Sequence, residues 1–470
     1  MVSMMETQKI PEGYKQTEVG VIPEDWKATI LGDIAEVRMC KRILAGQTKK
    51  TGTIPFFKIG TFGSQPDAYI PDFLYREYKT KYSFPNKGDI LISAAGTLGK
   101  TVIYDGKPAY FQDSNIVWLE INKSELLNEY LNHYYKVIKW ASSEGSTIAR
   151  LYNGIILASP IIVPPLQEQT AIAKALSDVD ALITGLESLI AKKSAIKTAA
   201  MQQLLTGKKR LPGFGGQQQT ESDGVAIPYS TQSTNSTTNN APRPGYKNTE
   251  LGEIPEDWEV VTIESISSVP MQNGLFYEPE RKGKGVSLIN VGDLYKSAPI
   301  DIDSLELFEA NNSEIKTFRI SNGDLFFTRS SIVPSGIAYC NIYDSDDADR
   351  DVVFDSHLIR VRVNVMKADA KYVYLACISN LARKFLISSA KTATMTTIDQ
   401  GAIKQCPILL PTKKEQTAIA TVLSDMDIEL DALQQRLNKT QQIKQGMMQE
   451  LLTGKTRLPV EDNDLKGMEA

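Results

Sequence analysis

The chain has 470 residues, 42% of them hydrophobic and 23% charged, a length too great for one core that predicts two or more globular domains. Its net charge of −4 does not announce a polyanion partner, and no apolar run approaches the roughly 18 residues needed to cross a bilayer. The four cysteines, Cys40, Cys340, Cys377 and Cys406, form no C-x-x-C pair, and His133 and His357 are the only histidines, so neither a zinc site nor a disulfide framework is expected and histidine catalysis has few candidates.

Taken in chain order, residues 1–165 predict a first domain of mixed α/β character. It opens on MVSMMETQKIPEGYK, which has no apolar signal core, so a cytoplasmic protein is expected. The stretch DILISAAGTLGKTVIYD, residues 89–105, comes one residue short of the phosphate-cradling G-x-x-x-x-G-K-[ST] pattern. A phosphate loop must run into a helix whose N-terminal N–H groups meet the anion. Here Thr101, Val102, Ile103 and Tyr104 are β-branched or aromatic and predict a strand. The reading is a hairpin, with Gly96 and Gly99 taking turn conformations closed to other residues.

Residues 166–212 predict a long helix that starts near VPPLQEQ and ends at Gly207, with Leu176, Val179, Ile183, Leu186 and Ile190 in heptad spacing. Residues 213–244, rich in Gly, Ser, Thr, Asn and Gln, have linker composition. A second mixed domain, 245–411, leads to a second heptad helix over 412–459, carrying Leu423, Met426, Leu430, Leu433 and Leu437 and ending at Gly454. Residues 460–470 are a tail. Each helix could pack on its own domain; pairing of the two is favoured because matching heptads in one chain suit each other.

The second half repeats the first. GYKQTEVGVIPEDW at Gly13 returns as GYKNTELGEIPEDW at Gly245, EQTAIAKALSDVD at Glu168 as EQTAIATVLSDMD at Glu415, and QLLTGKKRLP at Gln203 as ELLTGKTRLP at Glu450. The offset is 232 residues at the head and 247 at the tail, so the copies differ by insertions between. There, KGDILIS matches NGDLFFT and FQDSNIVWLEIN matches VFDSHLIRVRVN, whereas AAGTLGKT faces RSSIVPSGIA. A shared scaffold with divergent loops predicts two modules that recognise different things.

The order of IPEDW head, variable domain, PPLQEQTAIA helix and LLTGKxRLP end, given twice between Gly13 and Pro459, resembles the specificity subunit of type I restriction-modification systems. The resemblance implies two target-recognition domains, each reading half of a split sequence in double-stranded DNA, held apart by two long antiparallel helices that form a coiled coil. It also implies two methyltransferase subunits and restriction motor-nuclease subunits as partners, no membrane, no cofactor and no catalysis of its own. No N-P-P-[YF] loop for amine methylation is present, and the acidic pair of IPEDWK loses its lysine in the second copy, IPEDWE, which disfavours a metal nuclease. The rival reading is a coiled-coil scaffold with two variable protein- or glycan-binding domains.

On the DNA reading, the hairpin of the first domain offers Ser93, Thr97 and Lys100 as donors, with Gly96 and Gly99 allowing close approach. From Arg38 to Lys107 twelve basic residues face five acidic ones, and Lys41, Arg42, Lys49, Lys50 and Lys58 are candidates for phosphate. Arg329, Ser330 and Ser331 are the counterparts in the second domain, although residues 271–340 hold seven basic and nine acidic residues. A surface that binds two copies of one partner must itself occur twice, which points to Trp26, Arg210, Trp258 and Arg457 as partner-binding residues, while the two tryptophans also suit anchoring the head of each copy to an apolar surface.

Overall fold

The computed structural model describes residues 10–138, 140, 150–215, 242–296, 298–345, 347, 350–393 and 395–459. Most of the expected linker, residues 216–241, and the tail 460–470 lie outside the described residues. The chain forms two compact units whose boundaries fall inside the long helices: residues up to Ser188 with Gln434 onward form the first unit, and Leu189–Leu433 the second. Each unit thus holds one mixed domain and half of each long helix, whereas a division at 165 and 411 parts domain from helix.

In the first unit a four-stranded antiparallel sheet runs in the order Ala35–Met39, Ile116–Ile121, Ile90–Ser93, Thr101–Ile103. The strand Ile90–Ser93 is buried along its whole length, which accounts for an unbroken apolar run instead of alternation. Its hairpin with Thr101–Ile103 pairs Ile90 with Ile103 and Ile92 with Thr101. Gly96 and Gly99 have φ of 69° and 73°, and no helix follows the loop. A smaller sheet sets Ile54–Phe57 between Tyr69–Ile70 and a parallel neighbour, Tyr110–Phe111.

The second unit repeats this topology. Gln272–Asn273, Leu358–Arg362, Asp324–Thr328 and Cys340–Ile342 form the antiparallel sheet, and Lys282–Ile289 lies between Glu306–Phe308 and the parallel strand Val352–Phe354. One element is fuller here: Ser330–Ser331, Thr396–Thr397 and Lys391–Thr392 make a three-stranded ribbon. All four cysteines are buried thiols.

The first long helix is Leu166–Leu204 and the second Lys413–Leu451. Prolines at 164–165 and 411 precede them, and Gly207 and Gly454, at φ 67° and 72°, close the turns that follow. Leu176 and Leu186 are buried and Val179, Ile183 and Ile190 half-buried, while the off-stripe Leu182 and Leu189 are exposed. Leu423 and Leu437 are likewise buried, with Met426, Leu430 and Leu433 half-buried between exposed neighbours.

Within each unit the two helices run antiparallel. In the first unit Leu176 shares a core with Leu451 and Met447, and Asp180 is paired by Lys444. In the second, Ala200 and Leu204 pack with Leu423, Lys197 pairs with Asp427, and Lys193 lies 2.8 Å from Glu429. No described helix is long and apolar enough to cross a membrane.

Candidate nucleic-acid interface

The repeated motifs converge on one constellation, built once in each unit. In the first, Trp26 is fully buried and its indole N–H donates to Glu168 Oε2 at 2.9 Å. Arg457 donates from Nε and Nη2 to both Glu168 oxygens at 2.7 Å, and from Nη1 and Nη2 to Asp25 at 2.9 and 2.8 Å. Tyr14 donates to the Gly454 carbonyl at 3.0 Å. In the second unit Trp258 donates to Glu415 at 3.1 Å, Arg210 bridges Glu415 and Asp257, and Tyr246 donates to the Gly207 carbonyl at 2.9 Å.

The chemistry explains why these residues repeat together. A carboxylate as buried as Glu168 or Glu415 needs every oxygen paired, and the guanidinium fork with the indole supplies that. Hydrogen bonding by Glu415 raises the pKa of Arg210, Glu168 does the same for Arg457, and Arg210 holds the Asp257 carboxyl below its usual range. A Cβ on Gly207 would lie 2.5 Å from Pro255 Cδ, and one on Gly454 2.5 Å from Pro23 Cδ, so only glycine fits under the IPEDW turn.

This placement corrects the docking expectation for Trp26 and Trp258. Both are 0% exposed, so they fasten the head of each domain to the helices and offer a partner no surface. Arg210, with 13% of its side chain exposed, serves the same contact, and only Arg457, at 42%, keeps an open flank.

The candidate reading ends lie where the central strands run out. Ser93 is buried; its hydroxyl accepts from Lys100 N at 2.9 Å and donates to the Thr97 carbonyl, which closes the loop. Thr328 does the same work in the second unit, accepting from Tyr339 N at 2.9 Å and donating to Gly336 O at 3.3 Å. The Lys100 ammonium is likewise engaged, 2.6 Å from the Phe62 carbonyl, and Gly96, Thr97 and Lys100 are the exposed residues of the turn. The Gly99 backbone is half-buried beside Trp140.

Lys41 sits over the Tyr82 ring at 5.1 Å, Arg42 pairs with Asp113 at 2.7 Å, and Lys58 with Asp67 at 2.9 Å; Lys49 and Lys50 are exposed. In the second unit the acidic balance is largely internal. Lys282 pairs with Glu306, Lys284 with Glu309, Arg281 with Glu314, and Arg362 with Asp324. Arg329 differs: it is exposed, with no side-chain partner among the described residues. Ser330 and Ser331 pair with Thr397 and Thr396 in the ribbon.

Three residues at these ends were not singled out by sequence. Arg150 donates to Asn115 Oδ1 at 2.9 Å and Ser114 Oγ at 3.2 Å, and the exposed His357 lies 2.8 Å from Asp355. Lys391, on the ribbon, is also exposed. The matched Asp-Ser dipeptides of FQDSN and VFDSH were the available signal for Asn115 and His357; Arg150 had none, because its strand partner lies 55 residues away in sequence.

Residues 23–197 and 255–445 match the family model described as type I restriction modification DNA specificity domain. A protein of Haemophilus influenzae named for a type I restriction enzyme specificity subunit is 54% identical over 175 residues, 37% of this chain and 45% of that protein, so this match spans less than half of the relative's length. A Methanocaldococcus jannaschii protein named for the MjaX specificity subunit of a type I restriction enzyme is 28% identical over 97% of this chain and 100% of its own. The crystal structure of the type I restriction-modification S subunit from M. genitalium is similar in fold, with a TM-score of 0.54 over 94% of this chain and 98% of that one at 12% identity.

Proposed function

Because the chain belongs to the family of type I restriction-modification DNA specificity domains, we propose that it is the sequence-specificity subunit of such a complex in the cytoplasm. Each unit reads one half of a bipartite target in double-stranded DNA, and the chain assembles two methyltransferase subunits and the restriction motor-nuclease subunits without performing catalysis itself. The observation that carries this reading is the contrast between a lock repeated residue for residue and loops that differ at the equivalent strand ends. A scaffold kept while its tips diverge suits two readers of different sequences.

Lys41, Arg42, Lys49, Lys50 and Lys58 are proposed to meet phosphates, and the loops after Ser93 and Thr328 to face base edges. The partner subunits then dock on exposed parts of the repeated elements, since Trp26 and Trp258 are out of reach. The two long helices, each of which contributes to both units, are proposed to set the number of base pairs between half-sites. Inserting one heptad at matched positions in both should lengthen the preferred spacer by about three base pairs, at roughly 1.5 Å per helical residue and 3.4 Å per pair.

The test is duplex binding by the chain with its methyltransferase partner across a salt series. Sequence-selective binding that weakens steeply with salt supports the reading. Salt-independent binding, or selective binding of a protein or glycan in its place, overturns it in favour of the scaffold alternative.

A further inference from the structure

The reading ends of the two units are built on one backbone frame. In the first unit Ala94 N donates to Asn115 O at 2.8 Å, Leu151 N donates to Ala94 O at 2.9 Å, and Ala95 bridges to Arg150. In the second, Arg329 N donates to His357 O at 2.8 Å, Ile398 N donates to Arg329 O at 3.0 Å, and Ser330 pairs with Thr397. The hydrogen bonds therefore equate Ala94 with Arg329, Asn115 with His357, and Arg150 with Thr397.

Seen on this frame, each unit carries one arginine on the short ladder beside the residue that follows the Asp-Ser dipeptide, but from opposite strands. The first unit has buried Ala94 on the inner strand and Arg150 across from it; the second has Arg329 on the inner strand and Thr397 across. Resting on the DNA reading above, we propose that Arg150 and Arg329 are equivalent specificity-determining residues, each reading a guanine edge in its own half-site.

The side chains suit that role. Arg150 is held through Nη2 by Asn115 and Ser114, which orients the guanidinium before ligand arrives and leaves Nη1 and Nε as separate donors with no partner among the described residues. Arg329 is exposed and has no side-chain partner among the described residues, in a unit where arginines 281, 350 and 362 are all ion-paired. The five donors of Arg329 in a fixed plane match the O6 and N7 acceptors that guanine presents in the major groove, and Arg150 has Nη1 and Nε left to meet one of them.

The strand exchange has a consequence for recognition. Because the two forks leave the ladder from different strands, they reach different positions relative to the module, so the guanines they read occupy different places in their half-sites.

The experiment is binding by the chain with its methyltransferase partner to its own target, found by mapping methylated positions. Arg329→Ala should weaken binding about 10- to 100-fold, with selectivity lost at one guanine of one half-site, and Arg150→Ala should do the same in the other half-site. Replacing that guanine with 7-deazaguanine, which lacks N7, should weaken the unsubstituted complex and add nothing to the matching variant. Arg→Gln at either site should shift the preferred base toward adenine, a gain that misfolding cannot produce. Equal loss on all sequences, no loss, or both variants acting on one half-site would overturn the proposal while leaving the DNA reading intact. A complex with no sequence selectivity at all would overturn both.

Discussion

Trp26, Glu168, Arg457 and Asp25 fasten the first unit to its helices, and Trp258, Glu415, Arg210 and Asp257 repeat every bond in the second. A few residues away the units part. Tyr130 and Tyr372 occupy the same place, each donating to a strand carbonyl, Ile162 O and Leu409 O. Three residues on, the first unit has His133, 3.0 Å from Ser177, and the second has the buried aliphatic Leu375. Where a contact fixes the chain's path the duplication is held. Where it merely fills space, or faces outward, the copies drift.

The largest effect is expected from breaking the shared element. Glu415→Ala leaves the largely buried Arg210 held by Asp257 alone and the Trp258 indole N–H unpaired, and should cost about 3–5 kcal/mol. Glu168→Ala should fall at the lower end of that range, since 42% of the Arg457 side chain is exposed against 13% for Arg210. Denaturant unfolding followed by fluorescence checks this in the second unit, where Trp258 is the only tryptophan. A loss equal to that of an exposed ion pair would show that the lock is not structural.

The second effect sharpens the difference. Burial, with Lys136 next, pushes His133 down to about 4 from 6.5, and Ser177, Asp180, Lys136 and Lys444 are the polar and charged groups around it. The folded value lies below the unfolded one. Neutral His133 therefore contributes stability that is fully present above pH 6.5 and is lost as pH falls toward 4, to a total of about 3 kcal/mol. Denaturation midpoints of the first unit should fall across that window, and His133→Leu should flatten the dependence. An unchanged slope in the variant would remove His133 as its source.

Next come the glycines under the IPEDW turn. Gly207→Ala and Gly454→Ala impose a left-handed backbone on a residue with a Cβ, about 1–2 kcal/mol before the contact with proline is counted. The two substitutions should cost the same, because φ and the proline distance nearly coincide. A clear inequality in urea midpoints would show that the locks differ in rigidity. At the small end, Lys193→Ala removes a partly exposed pair with Glu429 and should change stability by less than about 0.5 kcal/mol.

Much of the fold was legible because it was written twice. The internal match exposed the domain pair, the heptads gave the helices, and Gly96 with Gly99 gave the hairpin in place of a phosphate loop. The use of the repeats was not legible. Trp26 and Glu168 stand 142 residues apart and Glu168 and Arg457 289, so no local spacing shows that they meet, and a repeated motif reads equally as docking surface or as interior lock. Ser93 and Lys100 look like free donors in the sequence, yet the loop takes up the Ser93 hydroxyl and the Phe62 carbonyl engages the Lys100 ammonium. Arg150 was invisible for the converse reason, since only the strand pairing brings it beside Asn115.

The central claim is that one scaffold presents two different readers. Selection of bound duplexes from a random pool by the chain with its methyltransferase partner tests it most directly. The account predicts a bipartite motif with a spacer of fixed length and two unlike half-sites, because the equivalent positions hold Ala94, Asn115 and Arg150 in one unit and Arg329, His357 and Thr397 in the other. A single contiguous motif, or a palindrome with identical halves, would contradict it.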